Sequence, residues 1–90
     1  MIHARKDYQR LQDPAGLIPE DEPVFLIRAQ DVVGPRTVQL WADCAEGAGA
    51  DARIVAHARK HAEAMSAYQT SHCCKIPDMP EENSDGKDVA

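Results

Sequence analysis

Six side chains from residue 44 onward have the chemistry of metal ligands or nucleophiles: Cys44, His57, His61, His72, Cys73 and Cys74. His57 and His61 are four residues apart, which on a helix places both imidazoles on one face. With Cys73 or Cys74 they offer the nitrogen and sulfur donors of a tetrahedral zinc site. The spacing matches no zinc signature, and the first histidine is followed by Ala58 where a metalloprotease helix carries glutamate. Cys73 or Cys74 beside His72 could also form a thiolate pair, but a cysteine nucleophile needs a surrounding pocket, and these residues precede an acidic tail. Carboxylate pairs occur at Glu20 and Glu22 and at Asp43 and Glu46, in settings that give no reason for a shifted pKa. No catalytic constellation results, and the expectation is a protein that is not an enzyme and uses no cofactor.

A second group suits an anion. Arg28 and Gln30 precede Gly34-Pro35, where a helix is expected to begin, and Arg36 and Thr37 fall in its first turn. A helix N-terminus offers unpaired N–H groups and the positive end of the helix dipole. Arginine adds a planar fork that fits phosphate or carboxylate. Arg5, Lys6 and Arg10 could join from the N-terminal arm, and Trp41 or Tyr8 could stack on a base. The ligand-binding candidates are therefore Arg28, Gln30, Arg36, Thr37 and Trp41, with a nucleotide as the sharpest form of ligand. The plain alternative pairs Arg28 and Arg36 with Glu20, Glu22 or Asp31. Neither a Walker loop nor a GxGxxG is present.

The elements that must position these residues follow from local signals. Asp13-Pro14-Ala15-Gly16 has the residues of a type I turn, with proline second and glycine fourth. Two prolines between Leu17 and Pro23 keep that stretch extended. Val24-Phe25-Leu26-Ile27 reads as a short buried strand, to be paired with the N-terminal arm or with the same strand of another subunit. A first helix is expected over about 35–47, with Val38, Trp41, Ala42 and Ala45 at helical spacing. Gly47 and Gly49 stop it. Asp51 caps a second helix over about 51–69, whose expected apolar stripe is Ile54, Ala58, His61 or Ala62, Met65 and Tyr68. The short link makes the helices antiparallel neighbours. The fold class expected is mainly α: an antiparallel helical hairpin after an extended N-terminal segment with one short β-strand.

Charge and length bound the rest. Residues 78–88 hold five carboxylates against Lys87, which accounts for −4 of the net −5 and leaves residues 1–75 at −1. Residues 76–90 are expected to form a disordered acidic tail behind a single small domain over 1–75. A nearly neutral domain with an acidic tail argues against nucleic acid as a partner. No apolar run reaches the roughly 20 residues of a membrane helix, no signal-peptide core is present, and three cysteines are not a disulfide framework. These features point to the cytoplasm. With one Phe, one Trp and two Tyr the core is thin, and a domain of this size is marginal alone. A homodimer is expected, with two hairpins packed as four helices.

Several segments together carry a resemblance. RLQDPAGLIPEDEPVFLIRAQD at 10–31, TVQLWAD at 37–43 and HARKHAEAMSAYQ at 57–69 resemble a family of small uncharacterised proteins from bacteria, phages and prophages. The shared pattern falls on Arg10 to Pro14, Ile18 to Leu26, Arg28 to Asp31, Trp41-Ala42 and Tyr68-Gln69, and the likeness covers about residues 5–70. No activity attaches to the family, so the resemblance transfers no residue role. It implies an accessory role such as interference with a host defence, exercised by binding a host protein or sequestering a nucleotide signal.

Overall fold

A computed structural model of the chain describes residues 1–5, 7 and 13–80. Lys6, Tyr8 and Arg10, and the tail from residue 81, lie outside the described residues. The chain divides into two compact units, Met1–Leu26 with the residues from Asp78, and Ile27–Pro77.

In the first unit the turn at Asp13 forms as its residue types require. The Gly16 amide donates to the Asp13 carbonyl at 2.9 Å, and Gly16 takes φ +63°. The Asp13 carboxylate accepts from the amides of Leu17 at 3.1 Å and Ile18 at 3.0 Å, closing the turn from outside. The extended stretch that follows ends in a strand, but a shorter one than the apolar run suggests. Strand β1 (Ile2–His3) pairs in parallel with β2 (Pro23–Val24). The Ile2 amide donates to the Glu22 carbonyl at 2.7 Å, and the Ala4 amide to the Val24 carbonyl at 3.3 Å. The arm offers only two residues of partner, so pairing stops at Val24 where a strand over 24–27 is expected. Phe25 is 75% exposed and not buried. Both ring nitrogens of His3 are buried without a hydrogen-bond partner among the described residues.

The second unit is the helical hairpin. Helix α1 (Gly34–Gly47) has proline at its second position, where a missing N–H breaks no bond. It ends in a Schellman arrangement: the Gly49 amide donates to the Glu46 carbonyl and the Ala50 amide to the Ala45 carbonyl, both at 3.0 Å. Gly49 supplies the left-handed φ of +86° this requires. Helix α2 (Ala52–Gln69) starts at Asp51, whose carboxylate accepts from the Arg53 amide at 2.8 Å. Among the described residues, no helix is long and apolar enough to cross a membrane.

The Arg53 guanidinium, and secondarily its amide, hold the Asp51 carboxyl below its ordinary value of 3.8. A lowered folded pKa contributes stability above the ordinary value and loses it as pH falls through the folded one. The first turn of α2 is therefore expected to fray only in strong acid. Asp51→Asn should keep the cap and remove that pH dependence, read as exchange of the Arg53 and Ile54 amides.

The two helices meet through a thin seam. Ala42 on α1 and Val55, Ala62 and Met65 on α2 are its buried hydrophobic residues. At one side Arg59 reaches from α2 to Asp43 at 3.0 Å and Glu46 at 3.1 Å. These are exposed pairs, which contribute little to stability. The inward stripe of α2 matches the sequence expectation at Ala62 and Met65 and differs at Ile54 and Tyr68, with Val55 inward instead. Val55, Ala62 and Met65 are buried, whereas Ile54, His61 and Tyr68 are exposed. On α1, Ala42 is buried and Trp41 beside it is exposed. Each helix carries two adjacent apolar stripes, and a single neighbouring helix covers only one of them.

Candidate functional site

The segment 28–33 is built into the hairpin by its backbone. The Asp31 amide donates to the Arg28 carbonyl at 3.2 Å, and the Gly34 amide to the Asp31 carbonyl at 2.8 Å. The residues after α2 return beside it: the Lys75 amide donates to the Gln30 carbonyl at 2.9 Å, and the Val32 amide to the Lys75 carbonyl at 3.0 Å. Gln69, the last residue of α2, ties both together. Its amide nitrogen donates to the carbonyls of Ala29 at 2.7 Å and Asp31 at 2.9 Å. The sequence drew notice to Gln30, Asp31 and Gln69, but their role here is to join the two ends of the hairpin unit.

That construction changes the surroundings of the anion candidates. Gly34 and Pro35 are buried against the 28–31 loop. The Gly34 amide is used by Asp31, Pro35 has none, and the Thr37 amide donates to the Val33 carbonyl at 3.0 Å. Three of the first four positions of α1 therefore present no free N–H to a ligand. The Thr37 hydroxyl also donates to the Val33 carbonyl, at 2.7 Å. Arg28 is exposed and Gln30 half-buried. Arg36 is exposed, makes no ion pair among the described residues, and lines a groove of about 520 Å³ with Gln39, Asp43, Ser66 and Gln69. Trp41 is five residues further on, so it stands roughly 140° around the helix from Arg36 at 100° per residue. The structure thus separates Arg36 from Thr37 and Trp41 and does not gather the five into one pocket.

The metal candidates are also kept apart. His57 and His61 are exposed on α2, and the helix continues eight residues beyond His61 to Gln69. At 1.5 Å per residue that is a rise of about 12 Å before Cys73 and Cys74 are reached. Cys73 is exposed, and the half-buried Cys74 directs its thiol to the Gln69 carbonyl at 3.9 Å. His72 stacks on Tyr68 with ring centroids 3.8 Å apart and places Nδ1 2.9 Å from the Tyr68 carbonyl. Among the described residues no three His, Cys, Asp or Glu side chains are grouped to hold a metal ion. The reading of His57, His61, Cys73 and Cys74 as one metal site is corrected accordingly: the rigid rise of α2 separates its two halves.

What the hairpin does assemble is an apolar flank. Trp41 precedes the buried Ala42 by one residue, and Ile54 precedes the buried Val55 by one. In antiparallel helices the same offset from the inward face opens on the same side of the pair. By this periodicity Trp41 from α1 and Ile54, His61 and Tyr68 from α2 fall on one side of the pair, where they are exposed, with Val38, Ala45 and Ala58 half-buried nearer the seam. Trp41 is 51% exposed, Ile54 45% and Tyr68 42%. The charged side chains Arg36, Asp43, Glu46, Arg59, Lys60 and Glu63 turn to the opposite flank by the same periodicity, and Arg53 lies with Asp51 beside Ile54 and His57. Sequence reasoning named Trp41 but placed Ile54 and Tyr68 in the hairpin seam. The signal that could have separated them is the width of the apolar arc on α2, too broad for one neighbour. Comparison of the chain with protein-family models, curated proteins and solved structures returns no match.

Proposed function

We propose that this chain is a non-enzymatic interaction protein whose working surface is the flank of the hairpin bordered by Trp41, Ile54 and Tyr68. The observation that carries the reading is the half-exposure of these three large side chains on one side of two packed helices. Contiguous exposed apolar surface of this kind marks a protein-binding face, and aromatic residues dominate the energetics of such faces. The resemblance to small phage and prophage proteins supports the same class of role, that of an accessory protein acting by binding. A nucleotide-sequestering site around Arg28, Gln30 and Arg36 has less support, since the amides at the start of α1 are engaged within the chain.

Photo-crosslinking in cells tests the reading. A benzoylphenylalanine placed at position 41 is expected to cross-link to protein, whereas one at Lys60, on the charged flank, is not. Equal cross-linking from both positions, or none from position 41, would overturn the proposal.

A further inference from the structure

The flank just described has the properties of a surface that recognises itself, and its residues place the symmetry axis. We infer that its occupant is a second copy of this chain, related by a two-fold axis passing beside Trp41 and His61. The inference rests on the proposed interaction face and names its partner.

Three observations carry it. The first is area. Helix α2 has 18 residues, hence a length of about 27 Å, and two packed helices are about 20 Å across. The face therefore offers on the order of 500 Å² per copy, and two copies would bury about 1,000 Å², the lower bound for a specific interface. The same contact would cover the second apolar stripe of each helix, which the four small and medium side chains of the hairpin seam leave exposed.

The second observation is charge. Arg53 and the N-cap Asp51 lie beside Ile54 and His57 at one end of this flank, while its middle, by helical periodicity around Trp41 and His61, carries no Lys, Arg, Asp or Glu of either helix. Two identical faces brought together by a two-fold axis meet each charge with its own copy, so a self-binding face must be free of like charges near its centre. This one is, although the opposite flank of the same hairpin is densely charged.

The third is position. An isologous contact is centred on its axis. The midpoint of α1 lies between Leu40 and Trp41, and that of α2 between Lys60 and His61. Trp41 and His61 are thus the mid-helix residues on the apolar side, and they meet their own copies at the centre of a four-helix packing of two antiparallel hairpins.

Light scattering on the purified full chain, combined with size-exclusion chromatography at high micromolar concentration, tests the inference. The wild type is expected to be a dimer. His61→Arg fixes a cation at the axis and is expected to be monomeric while keeping its helical circular dichroism, since position 61 is exposed and arginine is a good helix former. His61→Gln, which places no cation at the axis, should remain dimeric. A monomeric wild type, or a dimer that His61→Arg leaves intact, would overturn the inference. If the wild type is monomeric while a crosslinker at position 41 captures a different protein, the second copy fails and the interaction face survives. No cross-link from position 41 removes both.

Discussion

Gly34→Ala is expected to destabilise the hairpin by roughly 2 kcal/mol or more, where helix propensity alone would favour the change by up to about 1 kcal/mol. The sign is decided by space. A Cβ at position 34 would lie 2.5 Å from the Arg28 carbonyl oxygen and 3.3 Å from the terminal methyl of Met65. The methyl ends a flexible side chain and can move. The carbonyl cannot move alone, because it accepts the Asp31 amide and belongs to the loop that Gln69 and Lys75 hold in place. Accommodating the methyl group means displacing that loop from the start of α1. Thermal denaturation followed by circular dichroism should show a fall in Tm of about 10 °C, given the roughly 4–8 °C per kcal/mol of small domains. A variant with unchanged or raised Tm would mean that propensity outweighs the contact. Combining the change with Met65→Ala should not restore stability, because the obstructing atom is backbone.

Met65→Ala is expected to cost about 2–5 kcal/mol, the range for emptying a buried aliphatic position. Met65 is 6% exposed and is the largest of the four buried hydrophobic side chains in the seam. Its terminal methyl packs toward Gly34, so the loss falls where α2 meets the start of α1. The neighbouring buried residues are alanine, valine and glycine, which have little reach with which to close a cavity. Small domains hold only a few kcal/mol of net stability, so a loss of this size should broaden or abolish cooperative unfolding of the hairpin. Met65→Leu keeps the volume and should cost less than about 1.5 kcal/mol. Urea denaturation of the three proteins separates the outcomes, and equal midpoints for wild type and Met65→Ala would show that the seam does not depend on this side chain.

Both effects are invisible in the sequence for the same reason. Gly34 reads as a helix-start signal before Pro35, and Met65 reads as one apolar residue among several. Their importance comes from a contact between residues 28, 34 and 65, which no local window contains. The same holds for Gln69, whose position at the end of α2 was legible but whose two backbone acceptors at Ala29 and Asp31 lie 40 and 38 residues away. The candidate site followed this pattern. Residues chosen for type and proximity in sequence, Arg36 and Trp41, turned out to face different sides of α1, because five residues along a helix is a large rotation and a small translation.

By itself the sequence determined the hairpin and its punctuation. The start at Gly34-Pro35, the stop at Gly49, the cap at Asp51 and the turn at Asp13 are all formed by residues hydrogen-bonding to, or freeing, the backbone within a few positions of themselves. Such signals need no knowledge of the rest of the chain. Only the tertiary structure decided how far β2 runs and which stripe of each helix is inward. A strand extends no further than its partner, and the arm supplies two residues. A helix with two apolar stripes has two rotations of similar merit, and the choice is made by the neighbour against which it packs. Here α1 and α2 bury Ala42, Val55, Ala62 and Met65 against each other and leave Trp41, Ile54 and Tyr68 on one exposed side, which is the surface proposed to bind.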